Sequence, residues 1–158
     1  MKPFSPLASV KRALPAILLI AFGVPALAQG VAGPSGTPVG LWRSMDERTG
    51  QAKAEIRIKA NGSGVLTGLI ERALVPGQAP ICTECTDDRK DKPKLGMEII
   101  RGAHKADDKD VWEGGKILDP ENGRVYSLRL SPVDGGTKLE VRASMGPFGR
   151  TQVWTRVQ

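Results

Sequence analysis

Apolar and polar residues alternate in short segments along the chain from Val39 onward. Ile56 and Ile58 lie between charged residues, and Leu139 and Val141 show the same spacing near the C-terminus. Such alternation is typical of β-strands that turn one face to a core and the other to solvent. The sequence has no long segment with the period of an amphipathic helix, so we predict an all-β fold.

Turn sequences separate the alternating segments at intervals of about ten residues, a spacing typical of β-sandwiches and β-barrels. Asn61–Gly64, Asp119–Gly123 and Pro132–Gly136 contain the Asn, Asp, Pro and Gly residues that tight hairpin turns require. Strands joined in this order can close into an up-and-down antiparallel barrel, which leaves no exposed sheet edge. We therefore predict a single small barrel of about eight strands, near 40–44, 55–59, 65–72, 95–101, 111–118, 123–130, 138–143 and 151–157.

The N-terminus has the three parts of a secretory signal peptide. Basic residues at positions 2, 11 and 12 precede an apolar run at 13–27, and Ala-Leu-Ala at 26–28 supplies the small residues before a cleavage site. The apolar run is shorter than the roughly 20 residues that span a bilayer. We predict that residues 1–28 are removed and that the product is periplasmic or secreted, with no membrane-spanning segment.

The sequence after residue 28 divides into a leader and one domain. Residues 29–38 are rich in Gly and Pro without an apolar period, which predicts a flexible leader, and residues 39–158 form the predicted barrel domain. Loss of three basic residues with the signal peptide lowers 23 basic groups to 20 against 17 acidic ones, so the net charge falls from +6 to about +3. A charge this small argues against nucleic acid as a partner.

Cys82 and Cys85 are the only cysteines, and both lie in the Pro-rich and charged connector at 76–93. In an exported protein we expect them to form a disulfide, which would pin this connector and stabilise the fold by roughly 2 kcal/mol. A thiol–disulfide enzyme places such a pair at a helix N-terminus after a strand, a setting that this sequence lacks. A structural zinc site needs four ligands, more than the two cysteines and His104 provide.

Other groups of polar residues are better explained as turns than as sites. His104 precedes Asp107, Asp108 and Asp110, but the segment 102–110 also contains two lysines and is typical of a solvated turn. It lacks the Gly and closing Glu of a calcium-binding loop. Asp119 and Glu121 belong to a predicted hairpin turn, which explains them without a glycosidase. We predict no catalytic residue, no metal site and no cofactor.

Four motifs together resemble a known family. GLWRS at 40–44, CTEC at 82–85, GGKILDPENGRVYS at 114–127 and GRTQVWTRV at 149–157 are similar, in the same order, to family 2147 of domains of unknown function, whose members are small exported bacterial proteins. The resemblance implies a lipocalin-like or calycin-like barrel and brings no catalytic residues to transfer.

The Gly40-Leu41-Trp42 triplet is itself similar to the Gly-x-Trp signature on the first strand of lipocalins. There the Trp closes one end of the barrel and stacks against an Arg of the last strand. Arg156 is the first candidate for this partner and Arg150 the second. A buried Trp with an Arg over its face gains about 1 to 2 kcal/mol from the cation–π interaction.

The resemblance to lipocalins implies a binding module that is not an enzyme, with a small apolar or amphipathic molecule as its partner. The alternative is a structural or interaction role with an envelope protein through the loop at 76–94, where Asp88, Arg89 and Lys90 are the candidate contacts, because function concentrates on loops held by a rigid scaffold. A thiol–disulfide enzyme is the third hypothesis.

Overall fold

A computed structural model of the chain describes residues 36–157. The predicted signal peptide (1–28) and residues 29–35 of the predicted leader lie outside the described residues. The strands are β1 (Gly40–Met45), β2 (Ala52–Ala60), β3 (Leu66–Ala73), β4 (Glu98–Lys105), β5 (Trp112–Asp119), β6 (Arg124–Val133), β7 (Lys138–Met145) and β8 (Phe148–Arg156).

Each strand pairs antiparallel with the next, and β8 pairs back to β1, which closes the barrel. The closing pairs place Trp42 opposite Arg156 and Arg43 opposite Thr155. The predicted eight-stranded up-and-down barrel is confirmed, because every strand finds its neighbours in sequence order. Among residues 36–157, no helix is long and apolar enough to cross a membrane.

The barrel interior holds the core. Alternate side chains point inward along each strand, as the pleat of a β-strand requires. Each fully buried residue of this kind removes apolar surface from water, which is worth about 1.5 to 3 kcal/mol for a large aliphatic side chain. The largest fully buried side chains of the strands are Trp42, Ile56, Ile58, Leu66, Ile100, Leu118, Leu130 and Leu139.

Because consecutive strands run antiparallel, the two ends of the barrel carry different connections. One end carries the short β2–β3, β4–β5 and β6–β7 connections and the start of β1, and we call it the closed end. The other, the open end, carries the β1–β2, β5–β6 and β7–β8 connections and the long loop between β3 and β4 at residues 74–97. The candidate site lies at the open end.

Two strands extend into segments that were predicted as turns. β4 continues through His104 to Lys105, where a solvated turn was predicted, because Ala103 is buried and the backbone pairs with both β3 and β5. β6 continues through Pro132, which was predicted to begin a turn. β5 begins at Trp112, opposite Leu130, so that beyond this point β6 has only β7 as a neighbour and a proline is tolerated.

The barrel domain begins slightly before its predicted start at Val39. Pro38 is buried, and the carbonyl oxygens of Thr37 and Pro38 accept hydrogen bonds from side chains of the first and last strands. The last two residues of the predicted flexible leader therefore contact the barrel.

Candidate functional site

Trp42 fills the closed end of the barrel. Its side chain is fully buried, and its indole Nε1 donates a hydrogen bond to the carbonyl oxygen of Pro38. The guanidinium carbon of Arg156 lies 4.1 Å from the centre of the indole ring. Gly40, Trp42 and Arg156, for which the sequence suggested a role in barrel closure, lie together at this end.

The Arg156 guanidinium is held in place by three carbonyl groups. Its nitrogens donate to Gly136 at 2.6 Å, to Val39 at 2.9 Å and to Thr37 at 2.9 Å. Burial lowers the pKa of this guanidinium. Gly40 has a positive φ of 142°, and a Cβ atom at this position would overlap Arg156, so the first strand needs glycine here.

An apolar cavity of about 90 Å³ remains inside the barrel toward the open end. The polar residues that line it are Ser44, Lys53, Asp119, Arg150 and Gln152. Its deeper wall is aliphatic and aromatic, and comprises Ala54, Ile56, Ile70, Ile99, Ile117, Leu118, Val141, Ala143 and Trp154.

The β5–β6 connection at residues 119–123, which we call the mouth turn, crosses the open end. Glu121 forms an ion pair with Lys53 of β2 at 2.9 Å, and Asp119 approaches Arg150 of β8 at 3.4 Å. Asp119 and Pro120 line the cavity. The mouth turn therefore covers the cavity and is attached by two ion pairs to β2 and β8, the strands on either side of β1.

A groove of about 370 Å³ lies beside the mouth turn, between the long loop and strands β2 and β3. It shares Lys53, Ala54, Ile70 and Pro120 with the inner cavity, so the two spaces meet at the mouth. Its walls are largely apolar, with Ala54, Ile70, Val75, Ala79, Pro80 and Leu95.

The sequence pattern of a family of bacterial proteins matches this chain over residues 40–156, the whole length of the barrel; it is described as "Uncharacterized protein conserved in bacteria (DUF2147)". The chain belongs to this family. The resemblance inferred from the four motifs is thereby confirmed.

Known structures support the fold of this DUF2147 protein. The barrel is similar to the structure described as "Protein HP1028 from the human pathogen Helicobacter pylori belongs to the lipocalin family", with a TM-score of 0.64 and 16% sequence identity. The similarity covers 76% of this chain and 82% of that one. At this identity the likeness shows a lipocalin-like fold. No curated protein sequence matches the chain.

Cys82 and Cys85 of the DUF2147 protein form a disulfide, with 5.5 Å between their Cα atoms. Both residues are buried, and Cys82 Sγ lies 3.4 Å from the carbonyl oxygen of Pro120 in the mouth turn. The disulfide therefore holds the long loop where it packs against the mouth turn. Because both sulfurs are shielded from solvent, they are poorly placed for the thiol–disulfide exchange that the third hypothesis requires.

We expect native protein to show no thiol that reacts with iodoacetamide in denaturant unless a reductant is added first. Reduction should lower the free energy of unfolding by about 2 kcal/mol, since the bridge closes a short loop. Intact-mass measurement reports the thiols, and denaturant unfolding with and without reductant reports the stability. Two alkylated cysteines in unreduced protein would contradict the disulfide.

The three predicted loop contacts are all engaged within the chain. Arg89 is only 6% exposed; it pairs with Asp87 and donates to the carbonyl oxygen of Glu98 at 2.9 Å. Hydrogen bonds from this guanidinium are the main reason that the pKa of Asp87 falls to about 2. Asp88 pairs with Arg101 of β4 at 2.8 Å, and Lys90 donates to Thr83. Arg89 and Asp88 therefore anchor the long loop to β4, whereas the Lys90 contact lies within the loop.

Of two other residues named from the sequence, Arg150 lies at the candidate site and not beside Trp42, and His104 lines neither the cavity nor the groove. Arg150, the second candidate partner for Trp42, is at the opposite end of the barrel and lies 6.0 Å from the ring of Tyr126. His104 is exposed on β4, opposite Glu113. Within the described part of the chain, no three His, Cys, Asp or Glu side chains come close enough to hold a metal ion.

Sequence reasoning missed the polar rim of the cavity. Lys53 was not singled out, Arg150 was considered only as a partner for Trp42, and Asp119 and Glu121 were interpreted only as turn residues. The sequence did contain a signal for the cavity itself. Ala54 and Ala143 are small residues at inward positions of their strands, where larger apolar side chains would fill the barrel.

Proposed function

We propose that this protein binds one small apolar or amphipathic molecule at the open end of the barrel. The observation that carries the proposal is the aliphatic cavity that meets an apolar groove at the mouth. The closed end is sealed by Trp42 and Arg156, which leaves the open end as the route to this cavity.

The volumes indicate how such a molecule would lie. An engineered apolar cavity of about 150 Å³ holds benzene, so the inner cavity of about 90 Å³ has room only for the end of an alkyl chain or a small ring. The groove of about 370 Å³ is within the range of about 300–1,000 Å³ that ligand pockets occupy. The bulk of the ligand therefore belongs in the groove, with one apolar end inserted into the barrel.

The structure favours ligand binding in the barrel over the alternative hypothesis, an interaction role for the loop at 76–94. A contact surface requires accessible side chains, but Arg89 is buried and Asp88 already forms an ion pair with Arg101. Ile81 and Leu95 are the exposed apolar residues of the long loop that remain available for contact with a partner protein. Leu95 also lines the groove.

We further propose that the protein acts outside the cytoplasm. A disulfide persists in oxidising compartments and is rare in the cytosol, so the Cys82–Cys85 bridge supports export. Sequencing the N-terminus of protein recovered from the periplasm and medium tests this; Gln29 as the first residue is the expected result.

Ala143→Leu should abolish most ligand binding, because it places a larger side chain in the inner cavity. The neutral lipophilic dye N-phenyl-1-naphthylamine is a suitable probe, since its fluorescence rises in an apolar site. We expect saturable binding to the native protein and at least tenfold weaker binding to Ala143→Leu.

Ser144→Leu is the matched control. Successive residues of a strand face opposite sides of the sheet, so this substitution adds the same side chain on the outer surface of β7. It should leave dye affinity unchanged. Absence of saturable binding to the native protein, or equal affinity in both variants, would refute a ligand site in the barrel.

A further inference from the structure

We propose that the ligand is an anionic amphiphile, with its negative head group in the groove and its alkyl end in the inner cavity. This inference rests on the proposed binding function and adds the chemical class of the ligand.

The charges that line the groove are unbalanced. Lys53, Arg72 and Lys94 contribute three cations, whereas Glu121 is the one carboxylate among the lining residues that the structure describes. An enclosed surface with this excess raises the local concentration of anions and disfavours cations.

Two of the three cations can take an anionic partner. Within residues 36–157, the ammonium group of Lys94 forms no ion pair. Arg72 is 3.4 Å from Glu55, but that buried carboxylate is already held by Arg43 at 2.8 Å. The Arg72 side chain is 68% exposed, so it can turn toward a ligand without leaving Glu55 unpaired.

Lys53, the third cation of the groove, already forms an ion pair. Its ion pair with Glu121 marks the boundary between the groove and the inner cavity, and Lys53 lines both. A head group near Lys94 and Arg72 would thus lie on the outer side of this pair. The apolar residues Ala54, Ile70 and Pro120 lie at the junction through which the alkyl chain would pass.

The neighbouring loop residue Leu95 supports an amphipathic rather than a purely ionic ligand. Its side chain is 65% exposed although it follows Lys94 directly and lines the same groove. An exposed leucine beside an unpaired ammonium presents both of the features that an anionic head group with an alkyl chain would contact.

Competition between three ligands of equal chain length tests the inference. Decanoate and decyltrimethylammonium, each below its micellar concentration, and decan-1-ol, below its solubility limit, are titrated against protein carrying N-phenyl-1-naphthylamine. We expect decanoate to displace the dye at about tenfold lower concentration than decan-1-ol, because two partly exposed charge contacts each contribute severalfold, and decyltrimethylammonium to be the weakest competitor.

Variants of the groove cations locate the effect. Lys94→Ala and Arg72→Ala should each weaken decanoate severalfold and leave decan-1-ol unchanged, and Lys94→Glu should remove the preference for decanoate altogether. Lys92→Ala is the matched control, because this lysine is exposed on the same loop and does not line the groove. It should retain the native preference.

The outcomes separate this inference from the function on which it rests. Equal displacement by decanoate and decan-1-ol would overturn the anionic head group while leaving the apolar site intact. The same loss of decanoate affinity in Lys92→Ala as in Lys94→Ala would show a general charge effect and overturn the assignment to the groove. Failure of the dye itself to bind would refute the proposed function.

Discussion

Trp42→Ala should lower the free energy of unfolding by about 4 kcal/mol, the largest loss that we expect from a single substitution in this barrel. Truncation of a buried Trp to Ala in a protein core costs about 3 to 5 kcal/mol. Trp42 is fully buried and also supports Arg156, so the estimate lies within this range. For a domain of this size the melting temperature should fall by about 15 °C.

The size of this effect follows from the number of groups that meet at Trp42. Its removal opens a cavity, leaves the carbonyl oxygen of Pro38 without its donor, and takes away the ring beneath the Arg156 guanidinium. The guanidinium keeps its three carbonyl acceptors, so we expect it to remain near its position.

Trp42→Phe and Arg156→Ala divide the effect into its parts. Trp42→Phe keeps most of the buried surface and should cost less than half as much as Trp42→Ala. If the ring and the guanidinium stabilise each other, the double variant Trp42→Ala/Arg156→Ala should be about 1 to 2 kcal/mol more stable than the sum of the single losses predicts. Thermal unfolding by circular dichroism measures all four; an unchanged melting temperature for Trp42→Ala would contradict its assignment as the plug of the closed end.

The sequence predicted the strands and turns well where the information is local. Ile56 and Ile58 reveal the inward face of β2 through simple alternation, and the Asn-Gly pair at 122–123 marks a hairpin without reference to the rest of the chain. The limits of β4 and β6 were less predictable. Ala103 extends β4 because it is buried between two neighbouring strands, and a partner strand is not visible from the residue itself.

The ion pairs at the open end could not be predicted for a related reason. The Lys53–Glu121 and Asp119–Arg150 pairs join residues from β2, the mouth turn and β8, which are distant in sequence. Turn chemistry was a sufficient reason for Asp119 and Glu121 in the sequence, and Asp119 does accept turn hydrogen bonds from the backbone N–H of Glu121 and the side-chain amide of Asn122. The same carboxylates also form the rim of the cavity, a second role that depends on barrel closure.

Gly123→Ala should destabilise the protein by about 3 kcal/mol, well beyond the cost of glycine replacement in an ordinary turn. Gly123 ends the mouth turn with a φ of 68°, a conformation that costs an alanine about 1 kcal/mol. A Cβ atom at this position would also overlap the backbone carbonyl of Glu84, between the two bridged cysteines. Because the disulfide restrains that segment, the long loop has to move as a unit.

Comparison with Gly50→Ala separates the cost of the Cβ overlap from the cost of the positive φ. Gly50 has the same φ of 68° in the exposed β1–β2 turn, and a Cβ atom there meets no atom within 4 Å. It should cost about 1 kcal/mol, and the difference between the two variants measures the packing of the long loop on the mouth turn. Chemical denaturation followed by circular dichroism gives both values.

Displacement of the long loop should also be visible in the native state of Gly123→Ala. The loop carries Lys90 and Lys94, and trypsin should cleave after them faster in this variant than in Gly50→Ala, because local opening exposes the backbone to the protease. Equal stability and equal cleavage rates in the two variants would show that the loop does not press on the mouth turn. A faster cleavage with weakened dye binding would instead tie the disulfide-bearing loop to the ligand site, since the groove loses one of its two walls when the loop moves.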